Sequence, residues 1–260
     1  CKFCPKLFKS CRRRSIHDII KEMILIKRRG ANALHFVDET FTLHRQHCVG
    51  VLEFIKKEKL NMEFKVRTRP DRIDRDLMVL MKEAGVKAVV YGFETGSQGI
   101  LDSMAKGYNV EENLRVGRLT KEVGLRVYVD MLLGYPPETP DTVKETMAFL
   151  SRLRPDGINL SVLLPFPGTE IYREAKLNGA LMGDWSFRNG SPWVKLDWTD
   201  TYGDLLKAYR KIQRGFWLSP HVIISNLSFF LTLRPSFSHL MRALKFFLKM
   251  ILGPGPKKMF

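Results

Sequence analysis

The chain opens on "CKFC", with Cys1 and Cys4 two residues apart and Pro5 directly behind them. Thiolates at this spacing are half of a metal site, since one turn carries both onto the same ion or cluster. Two thiolates leave a site incomplete. Cys11 and Cys48 are the only other cysteines. Cys48 falls in the predicted helix "RQHCVGVLEF" and reads as a small core residue. Cys11 could join Cys1 and Cys4 in an unusual three-thiolate site. A metal site needs more than two ligands, and the chain opens inside the motif without a Met. The reading therefore expects residue 1 not to be a natural start.

Other chemistry-bearing residues gather at five points. They are Asp38-Glu39-Thr40-Phe41, Arg67-Thr68-Arg69-Pro70-Asp71, Gly92-Phe93-Glu94-Thr95-Gly96-Ser97, Gly134-Tyr135-Pro136-Pro137-Glu138 and Pro165-Phe166-Pro167-Gly168-Thr169. Each follows a short run rich in β-branched or aromatic residues: "ALHFV", "EFKVR", "KAVVY", "LRVYVDMLL" and "INLSVLL". Those runs read as buried strands, and His35 within the first is expected to have a core role.

Between the strands lie amphipathic helices that end on Gly30, Asn61, Gly85, Gly124 and Gly157 as left-handed caps. Ser15 with Asp18, then Asp74, then Thr139-Pro140 mark helix starts. Strand and helix recur every 25–40 residues, the rhythm of a parallel α/β sheet. The expected fold is a partial (β/α)6 TIM-like barrel that lacks its first strand, followed by a helical C-terminal extension. A doubly wound open sheet is the competing arrangement. In either, the five polar segments share the rim at the strands' C-terminal ends, where βα folds carry their sites.

Taken in order, "CKFC", "HFVDETFT", "RTRPD", "YGFETGSQGIL", "LLGYPPET" and "LLPFPGTEIY" resemble radical S-adenosylmethionine enzymes. The similarity is to the branch of cobalamin-binding enzymes and their relatives that act on porphyrins and hopanoids, and it covers about residues 1 to 178. "CKFC" resembles the end of that family's C-x-x-x-C-x-aromatic-C motif, with Phe3 on the aromatic position. The resemblance implies a [4Fe–4S] cluster on three cysteines, two of them Cys1 and Cys4, with one iron left open for S-adenosylmethionine. One electron from the cluster would cleave the sulfonium to give a 5′-deoxyadenosyl radical.

On that footing the methionine amino group needs acceptors, and Asp38 and Glu39 stand beside its expected place. The methionine carboxylate needs a cation, Arg67 first and Arg69 second, because a guanidinium offers a planar fork. Glu94 fits the ribose hydroxyls, and Gly134 allows backbone approach to the adenosine. Structural alternatives stand beside these roles: Asp38 as a helix cap, Arg67 paired with Glu39, Glu94 in a rim ion pair.

The formal net charge of +16 is uneven, because after Asp204 there are ten Lys and Arg and no Asp or Glu. Residues 1–180 read as the core barrel and 181–260 as an extension. Trp185, Trp193 and Trp198 suggest a lid over the barrel mouth or a patch that packs the extension down; the patch is favoured. Over Ser236–Leu252, Leu240, Met241, Leu244, Phe247, Leu248 and Ile251 share one helical face, with Arg242, Lys245 and Lys249 on another. Such a helix suits a membrane surface or a partner. Four cysteines in a chain of this size fit a reducing, cytoplasmic setting, with peripheral membrane contact through the tail.

The expected partners are a small-molecule substrate, lipid-soluble if the membrane contact holds, and an external one-electron donor. No nucleic-acid partner is expected, and cobalamin is an inference about a longer parent protein. Methyl transfer and oxidative ring chemistry both fit. The reading from another class is a zinc-binding or membrane-surface interaction module without catalysis, since "CxxC" is also half of a zinc ribbon.

Overall fold

The computed structural model describes residues 1–5, 11–185 and 191–224, together with Met241, Lys245 and Leu248. The expected amphipathic helix over Ser236–Leu252 lies outside them apart from those three positions. No helix among the described residues is long and apolar enough to cross a membrane.

Five strands form one sheet: β1 (Ala33–His35), β2 (Glu63–Thr68), β3 (Val86–Glu94), β4 (Arg126–Leu133) and β5 (Gly157–Val162). Their order is β1-β2-β3-β4-β5, and the β1–β2 and β2–β3 pairings are parallel. A doubly wound sheet reverses its strand order at a switch point. This order has no reversal, so the winding is that of a partial TIM-like α/β barrel.

The chain divides into two compact units. Unit 1 comprises Cys1–Lys6, Glu94–Val110 and Met131–Phe260, and unit 2 comprises Leu7–Phe93 and Glu111–Asp130.

Unit 2 holds helices α1 (Ile16–Arg28), α2 (Arg45–Lys57) and α3 (Arg75–Glu83), and nearly all of α5 (Val110–Val123). Ser15 caps α1 by accepting from the Asp18 N–H at 3.1 Å, and Asp74 caps α3 by accepting from the Leu77 N–H at 2.9 Å. The buried faces are the apolar ones: Ile20 and Met23 of α1, Cys48, Val51, Leu52 and Ile55 of α2, Leu77, Met78 and Met81 of α3. On β2 the alternation of a half-covered strand is plain. Phe64, Val66 and Thr68 are buried, while Lys65 and Arg67 are only half so.

The first strand departs from expectation. β1 is three residues long, His35 is exposed, and Val37 beyond it is 83% exposed. At the edge of the sheet β1 pairs only with β2 among the described residues, so its residues lack the second neighbour that buries a central strand. The core role expected for His35 is thereby corrected.

Unit 1 holds the cysteine turn, α4 (Gln98–Ser103), α6 (Pro140–Leu153), α7 (Glu170–Leu177), the hairpin of β6 (Leu181–Met182) with β7 (Trp193–Val194), and α8 (Tyr202–Trp217). Thr139 and Thr142 form a reciprocal capping box at the start of α6, with Pro140 in its first turn. The helix does not stop on Gly157. Arg154 takes the left-handed cap at φ 51°, and Gly157 instead opens β5. Two residues separate them, and Pro155 ends the helix before the glycine is reached.

The core of this unit includes Ile100, Met104, Tyr135, Leu163, Ile171, Ala175 and Val194. Trp193 is 4% exposed and packs edge-on to Tyr202, and the Trp198 indole N–H donates to the Glu138 carbonyl at 2.8 Å. These two tryptophans therefore act as packing within the unit, in line with the favoured patch.

Gly96 lets the end of β3 close onto α6. A Cβ there would fall 2.8 Å from the Thr146 Cα and 2.9 Å from the Glu145 carbonyl, and would also strike the Phe149 Cβ. Backbone atoms cannot yield as a flexible side chain can. Gly96→Ala is expected to destabilise the protein by about 1–3 kcal/mol. Gly99→Ala, in α4 with nothing within 4 Å, should be neutral or stabilise by up to about 1 kcal/mol. Urea unfolding of both variants tests the pair; equal midpoints would refute the close approach at Gly96.

Candidate functional site

In unit 1 the cysteine turn is pinned from both sides. The Lys2 N–H donates to the Met104 carbonyl at 3.2 Å, just past α4, and the Lys2 carbonyl accepts from the Ile171 N–H at 3.3 Å, in the first turn of α7. The Lys2 ammonium reaches Glu170 at 2.9 Å. Phe3 lies edge-to-face on Tyr135 with ring centroids 6.0 Å apart. Cys1 and Cys4 are exposed thiols outside any disulfide.

Glu94 ends β3 at φ 66°, a left-handed conformation that costs a non-glycine residue roughly 1–2 kcal/mol. Its Oε1 lies 2.8 Å from the Lys106 ammonium, with 13% and 10% of the two side chains exposed. The rim ion pair foreseen for Glu94 is present. The same ammonium stands 5.5 Å from the Phe3 ring centroid and 5.8 Å from that of Tyr108. Cys1, Phe3, Cys4, Glu94 and Lys106 thus share one neighbourhood within unit 1.

Gly134 follows β4 at φ 86°, a conformation that favours glycine. Its N–H donates to Glu138 Oε2 at 2.6 Å. A Cβ on Gly134 would meet only ordinary contacts with Leu205 and Val162 at 3.5–3.7 Å, so within the protein the conformation, not crowding, calls for glycine. Burial pushes the Glu138 carboxyl up to about 8, against the pull of the Gly134 N–H.

In unit 2, Arg67 pairs with Asp130 at 3.1 Å, so the structural alternative of a pair with Glu39 is replaced by this one. Arg69 forks onto Asp71, with 2.8 and 3.0 Å hydrogen bonds to its two oxygens. Asp38 and Glu39 are exposed, and the cap position of α2 is filled by His44, so Asp38 caps no helix there.

Lys65 lies 4.6 Å from the Tyr128 ring centroid, and His35 stands in register with Lys65. Partial desolvation of the exposed ring, with Lys65 and Arg67 nearby, holds His35 below the usual imidazole range. Cys48 is 1% exposed and burial pushes its thiol up to about 12, which makes it the inert core cysteine expected.

Lys106 and Asp130 escaped the sequence reading. Lys106 sits past α4 in "MAKGYNV", away from any strand end. Asp130 lies inside β4, and its signal is the alternation Arg126, Tyr128, Asp130 of half-buried positions.

The Glu138 carboxyl gives a pH test. Below about pH 4.5 it is protonated whether the chain is folded or not. From there to about 8 the unfolded chain releases the proton while the folded one keeps it. Stability therefore falls by about 1.4 kcal/mol per pH unit across that window and levels off above it. Glu138→Gln should remove this slope, so that the variant gains on the parent between pH 5 and 8 in denaturant titrations. Parallel curves would refute a buried neutral carboxyl.

Residues 1–150 match the model of the Radical SAM superfamily. The uncharacterized methyltransferase PH0819 of Pyrococcus horikoshii is 28% identical over 233 residues, covering 87% of this chain and 50% of that protein. The anaerobic magnesium-protoporphyrin IX monomethyl ester cyclase of Rubrivivax gelatinosus is 27% identical over 224 residues, 84% of this chain and 40% of that one. Among solved structures, the radical S-adenosylmethionine methyltransferase TsrM from Kitasatospora setae, with cobalamin and a [4Fe–4S] cluster bound, superposes with a TM-score of 0.66 at 19% identity. That match covers 80% of this chain and 46% of TsrM, and it speaks for the fold. The chain spans about half the length, or less, of the curated relatives it matches. With the family model covering more than half of its residues, the chain belongs to the radical S-adenosylmethionine superfamily.

Proposed function

We propose that this chain is the core of a larger enzyme that uses a [4Fe–4S] cluster and S-adenosylmethionine to transfer a methyl group to a small-molecule substrate. The observation that carries the reading is the cysteine turn, docked through Phe3 and Lys2 beside the strand-end Glu94 in a chain of this family.

The donor set fits the cluster as far as it extends. Cys1 and Cys4 are accessible thiols, the ligand type that iron–sulfur clusters take. A cluster with an open iron needs a third thiolate, and among the described residues no group of three or more His, Cys, Asp or Glu is placed to hold a metal ion. The same fact weakens the zinc reading, since a structural zinc site needs four ligands. When bound, the cluster supplies the electron that breaks the sulfonium bond of S-adenosylmethionine.

The chain's own residues bind and orient. Cys1 and Cys4 hold iron, with Phe3 as the ring that seats their turn. Glu94 accepts from the ribose hydroxyls, and Gly134 presents backbone to the adenosine. Asp38 and Glu39 accept from the methionine amino group. Arg67 is the better candidate for the methionine carboxylate. It meets Asp130 through one terminal nitrogen at 3.1 Å, and a guanidinium has five N–H donors. Arg69, by contrast, already forks onto Asp71.

Residues 1–180 serve as the catalytic core and 181–260 as an extension, which in the parent protein brings the core to a membrane surface and a lipid-soluble substrate. The likeness to a cobalamin-bound methyltransferase supports cobalamin in that protein. A one-electron donor must reduce the cluster. The similarity to the porphyrin ester cyclase favours oxidative ring closure as a second reading.

The two readings differ in product. In radical methyl transfer one S-adenosylmethionine gives up its methyl group and becomes S-adenosylhomocysteine while a second is cleaved to methionine and 5′-deoxyadenosine, whereas radical ring chemistry forms 5′-deoxyadenosine and no S-adenosylhomocysteine. The longer protein, reconstituted anaerobically with iron, sulfide and a reductant, is expected to form S-adenosylhomocysteine. Cys1→Ser and Cys4→Ser should each lose most of the iron and all of the turnover. A full complement of iron in both variants would sink the assignment.

A further inference from the structure

Lys106 is the residue at which the parts of the unit 1 site meet, although it follows no strand. Its ammonium is 2.8 Å from Glu94 Oε1 and 5.5 Å from the centre of the Phe3 ring in the cysteine turn. Tyr108 stands on it at 5.8 Å. Burial works against its charge, but the Glu94 carboxylate and Tyr108 outweigh that and hold the ammonium above its usual range.

A buried ion pair is a costly way to stabilise a fold, because both charges leave water. This one involves a glutamate in a left-handed conformation. Strain and buried charge at the same residue mark places where geometry is being held for a purpose.

We propose that Lys106 is a positioning residue of the cofactor site. It fixes the Glu94 carboxylate and, through the face of Phe3, the turn that bears Cys1 and Cys4, so that the two keep a set relation within unit 1. Lysine suits the task. Its compact ammonium has three donors, and a cation is attracted both to a carboxylate and to a ring face. A carboxylate accepts at both oxygens, so a contact at Oε1 is compatible with hydroxyls bound by the same group. The inference rests on the reading that Cys1 and Cys4 carry the cluster and that Glu94 takes the ribose.

Three variants of the full-length, cluster-reconstituted protein test it. Lys106→Met keeps the length and removes the charge. Lys106→Arg keeps the charge and its attraction to the ring. Phe3→Leu removes the ring alone. The readouts are affinity for S-adenosylhomocysteine by titration calorimetry, which needs no turnover, and the electron paramagnetic resonance spectrum of the reduced cluster.

Lys106→Met should bind S-adenosylhomocysteine about ten- to a hundredfold more weakly and show a shifted cluster spectrum at unchanged iron content. Lys106→Arg should recover most of the affinity, and Phe3→Leu should shift the spectrum with a smaller loss of affinity. Parental affinity and spectrum in Lys106→Met would overturn the proposal. Should Lys106→Met fail to fold, Phe3→Leu decides, and an unshifted spectrum overturns it. If the parent protein binds neither cluster nor S-adenosylhomocysteine, the functional reading itself fails. A parent that binds both beside an indifferent Lys106→Met removes Lys106 alone.

Discussion

At the end of β3 an ion pair ties Glu94 to Lys106, past α4. Glu94 leaves the strand in a left-handed conformation with its carboxylate against the Lys106 ammonium, and both groups are nearly out of water. Left-handed backbone at a glutamate persists only where the surroundings over-determine it. Here they do. The next residue, Thr95, meets Thr146 of α6 at 3.1 Å, and the Gly96 N–H donates to the same Thr146 hydroxyl at 3.1 Å. The chain can approach α6 that closely because position 96 has no side chain. A strand end, a helix and a buried cation are thus fixed together over three residues.

In unit 2 the charged groups are handled differently. Lys65 and Arg67 on β2, with Tyr128 and Asp130 on β4, occupy alternate positions whose neighbours in sequence are buried, so they share the side of the strands opposite Phe64, Val66, Val127 and Val129. These groups stay half-exposed, where a charge keeps part of its hydration and a partner contributes little stability. Asp130 offsets Arg67, while Lys65 has a ring face for company. His35, in register with Lys65, has its proton affinity lowered first by partial desolvation and then by the Lys65 and Arg67 charges. Groups held this way can exchange partners at small energetic cost.

Much of this was legible in the sequence because local chemistry determines it. Ser15, Asp74 and Thr139 cap the helices they were expected to cap, since each side chain bonds an N–H three residues on. The five strands follow from their β-branched runs, and Cys48 follows from the helical period around it. What escaped depends on neighbours distant in sequence. His35 reads as core from its own strand, yet edge strands are exposed by what fails to flank them. Gly157 reads as a cap from its type, but Pro155 ends the helix sooner and Arg154 takes the left-handed position. Lys106 lies twelve residues from Glu94 with a helix between, and nothing in "MAKGY" announces a partner. The polar residues at strand ends were visible because they interrupt apolar runs; a lysine in a polar loop interrupts nothing.

Two glutamates in unit 1 show how neighbours divide such groups between tasks. Glu94 ends β3 and Glu138 lies five residues past β4, and both are largely buried, at 13% of the side chain and 4% of the residue. Glu94 faces the Lys106 ammonium, which in turn stands against the Phe3 and Tyr108 rings. Glu138 faces a single backbone N–H, too little to offset burial, so its carboxyl holds its proton to about pH 8. A neutral carboxyl beside Gly134 braces that loop without adding negative charge to the unit. Lys106 makes the contrast, because it sets a cation 2.8 Å from the buried Glu94 carboxylate where the Glu138 carboxyl meets a backbone N–H.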